Sequence, residues 1–139
     1  MRGILLVFFV ISVSLSEAIS KKDWRKLRCE MQEKCSKEIG IDKGVLDKWK
    51  KSRVVPELDE KFLEFIYCLA VDAGFIDKKG NLQFDRIRKH LKDLGVKEVV
   101  AKKSIKNCNK VEKSECVLLQ TIRYYVCYGK YLPREVLVF

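Results

Sequence analysis

The sequence predicts an all-α domain of six helices, and three observations carry that reading. Apolar residues recur at steps of three and four through successive segments, the period of one helix face. No stretch of useful length alternates apolar and polar residues in the manner of a half-buried strand. Glycine, proline and an Asp-Lys-Lys-Gly-Asn cluster punctuate the segments where helices stop and turns begin.

The elements follow in order. Met1-Arg2-Gly3 is a short basic start, Ile4 to Val13 is apolar apart from Ser12, and Ser16-Glu17-Ala18 ends on a small residue. That is the layout of a secretory signal peptide. It is too short for a membrane anchor, which needs roughly 20 apolar residues. Residues 1–18 are therefore read as a leader and 19–139 as one secreted, extracellular domain.

The first helix runs from Ser20 to Ile39, with Trp24, Leu27, Met31, Cys35 and Ile39 on one face. Ser20 with Asp23 makes a capping pair, and Gly40 is the stop. Cys29 lies about 140° around the wheel from Trp24, away from the stripe that carries Cys35. A short second helix over Val45 to Lys51 presents Val45, Leu46 and Trp49, and Pro56 closes the connection after it. The third, Leu58 to Ala73, presents Phe62, Phe65, Ile66, Leu69 and Ala73, with Gly74 as its cap.

Asp77 to Asn81 is a turn. A fourth helix follows Asp85, with Ile87, Leu91 and Leu94 inward, and a fifth spans Val96 to Asn109. The sixth runs from a Ser114 cap to Tyr128 and is apolar over most of its circumference, which places it in the middle of a small protein. The apolar end Val136-Leu137-Val138-Phe139 is expected to fold back onto the body.

Lys and Arg outnumber Asp and Glu by 29 to 19, a net charge of +10. The leader removes only Arg2 and Glu17, so cleavage leaves the balance unchanged. The lysines are spread and interleaved with acids, as in Lys43 to Lys61, which reads as a solvated surface and gives no nucleic-acid partner. A basic secreted glandular or venom protein acting on anionic surfaces or lipids, in a saposin-like role, is the alternative function. Enzymatic chemistry finds no support. His90 is the lone histidine and is read as a surface residue between Lys89 and Lys92, where a pH-triggered switch is the lesser reading. The Asp77 turn lacks the acidic density of a calcium loop, and one histidine without a close cysteine pair offers no zinc site. No cofactor and no metal are expected.

The stretches Cys35-Ser36-Lys37-Glu38-Ile39-Gly40, Leu46-Asp47-Lys48-Trp49, Tyr67-Cys68-Leu69, Gly74-Phe75-Ile76-Asp77 and Gly80-Asn81-Leu82 resemble the insect odorant-binding proteins of the pheromone-binding and general-odorant-binding superfamily. The resemblance covers essentially the whole of 19–139. It implies a compact six-helix fold stapled by disulfides around an apolar cavity. In that family six cysteines pair first with third, second with fifth and fourth with sixth. Here Cys35, Cys68, Cys108 and Cys127 fit the first, third, fourth and sixth positions. The second falls on Glu64 and the fifth on Leu118, so the chain resembles the reduced-cysteine (C-minus) subgroup. The resemblance implies bridges from Cys35 to Cys68 and from Cys108 to Cys127. Cys29 and Cys116 lie outside the pattern. A relocated third bridge between them and two unpaired thiols are both open readings.

The implied function is transport of a small apolar ligand, such as an odorant, a pheromone or another lipid-like molecule, through aqueous fluid. An olfactory receptor or a membrane surface would receive it, and the carrier would be a monomer or weak homodimer. Counted from the matched cysteines, the pocket positions fall on Ile66, Ala70, Phe75, Ile76, Leu82, Ile105, Tyr125 and Tyr128. The helical faces add Met31, Leu91 and Ile122, and Phe139 is placed to plug the mouth. Tyr125 and Tyr128 supply hydroxyls for a ligand alcohol or carbonyl. Glu64, in the vacated cysteine position, is expected to reach solvent.

Overall fold

The computed structural model describes residues 18–139; apart from Ala18, the leader lies outside the described residues. Six α-helices follow: α1 Lys21–Ile39, α2 Lys43–Lys51, α3 Glu60–Asp72, α4 Phe84–Asp93, α5 Glu98–Cys108 and α6 Val117–Tyr131. A single 3₁₀ turn, Arg134–Val136, precedes the end of the chain. The described residues contain no strand, only an isolated antiparallel bridge between Ile76 and Leu82 that pinches the turn between α3 and α4.

Local chemistry sets the helix ends. Ser20 Oγ accepts the Asp23 N–H at 3.0 Å, satisfying one of the donors that a helix start leaves without a partner. Gly40, at φ 79°, returns its N–H to Ser36 O, a left-handed closure that a side chain would oppose. At the start of α3, Asp59 Oδ1 accepts the Phe62 N–H at 3.1 Å. This cap moves the start past Leu58, the expected first residue, which is fully exposed. The sixth helix likewise begins at Val117 and not at Ser114, whose hydroxyl instead accepts the Cys116 N–H.

The most extensive packing joins α3 to α6; α1 then rests on α3, α5 on α6 and α4 on α5. This puts the two most apolar helices at the centre, as expected for α6. Phe62, Phe65, Ile66 and Leu69 of α3 are at most 1% exposed and form the middle of the core. Disulfides tie both central helices to their neighbours. Cys35 joins α1 to Cys68 of α3, and Cys108 joins α5 to Cys127 of α6. Cys29 and Cys116 do not pair, and both are exposed free thiols. Glu64 and Leu118, standing where the family's other pair would be, are half-buried.

Two apolar residues singled out on helix faces are displaced outward, Val45 of α2, at 40% exposed, and Leu27 of α1. Leu27 is 40% exposed, because the buried face of α1 is centred between Trp24 and Gln32. The reason lies at the other end of the chain. From the 3₁₀ turn onward the chain crosses the body without regular helix, with Val136, Val138 and Phe139 buried, so the carbonyls from Glu135 on need donors that no α-helix or sheet supplies. Trp24 Nε1 donates to Glu135 O at 2.9 Å, Arg28 Nε to Leu137 O at 2.8 Å, and Gln32 Nε2 to Val138 O at 3.0 Å. These three donors stand at i, i+4 and i+8 on α1, one vertical row. The polar members of that face are there to hold the C-terminal segment.

Candidate functional site

Beneath the C-terminal segment lies an apolar cavity of about 80 Å³. Helix α3 contributes Ile66 and Ala70, the pinched turn Phe75, Ile76 and Leu82, and α4 Ile87, His90 and Leu91. On the far side α6 presents Thr121, Tyr124, Tyr125 and Tyr128, and the chain end closes the space with Leu132, Val136, Leu137 and Val138. The volume is well short of the roughly 300 Å³ at which small-molecule pockets begin. A ligand of any size must therefore shift some of this wall.

Of the residues singled out in the sequence, Ile66, Ala70, Phe75, Ile76, Leu82, Leu91, Tyr125 and Tyr128 lie in this wall. Met31, Ile105 and Ile122 do not. They are buried in the surrounding core, where packing between helices uses up their faces. Phe139 also lies outside the wall: its ring packs edge-on against Phe65 at 5.1 Å and Phe62 at 6.0 Å. It anchors the chain end in the core rather than plugging a mouth.

His90 corrects a second expectation. It is 8% exposed and lines the cavity, with its ring 4.3 Å from Trp24 and 4.7 Å from Phe75. Its Nε2 is 2.7 Å from Val136 O. A carbonyl can only accept, so Nε2 carries the hydrogen and the neutral ring is the Nε2–H tautomer. Burial lowers its pKa below the ordinary histidine value, partly opposed by this hydrogen bond and by Asp93. The helical period did hold the signal: His90 stands three residues after Ile87 and four before Leu94, on the apolar stripe. The flanking lysines obscured it.

The remaining polar groups differ in how they are satisfied. Tyr125 donates its hydroxyl to Phe139 O at 2.9 Å, and Thr121 to Val117 O at 2.7 Å. Tyr124 accepts from Lys113 Nζ at 2.7 Å. Tyr128 stands apart, its hydroxyl buried without a partner and its pKa pushed up to about 12 chiefly by burial. It is a neutral phenol with an unused donor. Thr121, Tyr124, Tyr125 and Tyr128 follow the i, i+3, i+4, i+7 pattern, so the whole α6 wall was present in the sequence as one stripe.

The one grouping of metal-type ligands among the described residues is Cys35, Cys68 and Asp72, and the two sulfurs are already bonded to each other. No helix among the described residues is long and apolar enough to cross a membrane.

Among known proteins, the model of the PBP/GOBP family matches residues 18–131. No curated protein and no solved structure matches the chain.

Proposed function

The chain belongs to the PBP/GOBP family, and from that premise we propose that it is a secreted, non-enzymatic carrier that takes a small apolar ligand into the cavity between α3, α4 and α6. The observation that carries this reading is the apolar cavity itself, lined on one side by a chain end whose carbonyls are held by side-chain hydrogen bonds from α1 and whose last ring, Phe139, packs on α3. Each Å² of ligand surface removed from water contributes about 25 cal/mol, so a ligand burying a few hundred Å² reaches micromolar affinity without any charge partner. Tyr128 offers a ligand oxygen the one hydroxyl that has no partner.

The test is displacement of a fluorescent naphthylamine probe by apolar alcohols, ketones and esters. The expected result is micromolar affinity that does not change between low and high salt. If no such probe binds while anionic vesicles bind in a salt-sensitive way, the carrier reading is wrong.

A further inference from the structure

A second concavity lies on the other side of the C-terminal segment. Its volume is about 370 Å³, and it is open to solvent between the end of α2, the connection that follows it and the C-terminal half of α6. The floor is apolar, with Trp49, Val55, Phe62 and Val126. The charged side chains that line it are Arg53, Lys130 and Arg134, and there is no acidic one.

These cations are not equally engaged. Arg134 is held in place: it donates to Ser52 O and Trp49 O, both at 3.3 Å, and its guanidinium lies 5.5 Å from the centre of the Phe139 ring. Two of its five N–H donors are used, leaving three. Arg53 and Lys130 have no ion pair or hydrogen bond among the described residues, and both are exposed. A preset guanidinium and two unpaired cations around an apolar trough match one ligand chemistry: a negative head on a hydrocarbon chain.

We propose that this cleft is a second binding site, for a single-chain amphipathic anion such as a long-chain carboxylate or alkyl phosphate. The chain lies along Val54, Val55 and Val126, over Trp49, and the head is held by Arg53, Lys130 and Arg134. The site is independent of the carrier reading, because the apolar cavity has no lysine or arginine in its wall. The two spaces do share Tyr125, Leu132 and Leu137, so the partition between them is one side chain thick. The same head and chain reach the cleft either from a free amphiphile or from a phospholipid at a bilayer surface.

The experiment compares the intact protein with an Arg53→Glu/Lys130→Glu variant, two exposed positions whose reversal leaves the core untouched. Decanoate below its micelle concentration and vesicles of phosphatidylcholine with phosphatidylserine are titrated at low and high salt, with decanol as the neutral control. Decanoate affinity is expected to fall about tenfold or more in the variant and to weaken with salt, while decanol binding is unchanged. Loss confined to decanoate assigns the site to a free amphiphile; loss confined to vesicles assigns it to a lipid surface. Equal binding of both by the two proteins, or binding of neither by the intact one, overturns the proposal. Decanol alone reports on the apolar cavity, so failure of the carrier reading is seen separately.

Discussion

His90 links four parts of the molecule through one side chain: α4 carries it, Trp24 of α1 and Phe75 of the turn pack on it, and the chain end takes its hydrogen bond. A second proton would put a charge into an apolar wall. The unfolded histidine titrates near 6.5, whereas burial sets the folded one lower. Between those two values the unfolded chain holds a proton that the folded one lacks. Stability is therefore full above about 6.5 and is lost as pH falls below it. Asp93 opposes this shift and Arg86 reinforces it. Asp77, Asp93 and Glu98 have pKa values lowered below the ordinary carboxylate range, so they add their own losses only at still lower pH. Urea unfolding at pH 7.5 and pH 5 should show the midpoint falling for the native chain. His90→Gln retains an N–H donor without the titrating ring and should flatten that slope; equal slopes would remove His90 from the explanation.

At the scale of elements, the helices were legible because their apolar stripes are long and their caps conventional, as at Ser20 and Gly40. The starts of α3 and α6 were less so. Leu58 is apolar yet exposed, since the Asp59 cap decides where the helix begins. The purpose of the polar row Arg28 and Gln32 depends on carbonyls more than 100 residues away. No local period encodes such a contact. The same limit applied to the cavity wall: the resemblance marked α3 and the turn, but Val136 to Val138 enter the wall only through tertiary folding. The cysteines separate into two classes, and this has a thermodynamic consequence. The native bridges span separations of 33 and 19 residues, so the chain-entropy relation gives each roughly 3 to 4 kcal/mol. Cys35→Ser/Cys68→Ser should lose about that much in urea unfolding, while Cys29→Ser/Cys116→Ser should change stability by less than about 0.5 kcal/mol. A large loss from the second pair would mean that the exposed thiols are bonded after all.

For the molecule as a whole, the chain end is both structure and cover. It lines the apolar cavity on one side and the basic cleft on the other. Its hydrogen bonds come from α1, α4 and α6 together, so shifting it loosens contacts on three helices at once. The carrier reading requires that, with only about 80 Å³ of space in the cavity, a ligand larger than a few heavy atoms gains its room by displacing Val136, Leu137 or Val138. Stability and affinity should then move in opposite directions when this wall is trimmed. Val138, 5% exposed, is the position of choice because its side chain faces the cavity wall while its carbonyl bond to Gln32 is made by the backbone. Val138→Ala should cost about 2 kcal/mol of stability and tighten binding of a bulky apolar probe, because less wall has to move. Probe at one hundred times its Kd should return about 2.7 kcal/mol by mass action, and chemical unfolding with and without probe measures both quantities. If affinity falls together with stability, the chain end is a fixed part of the core, and the ligand reaches the cavity by another path.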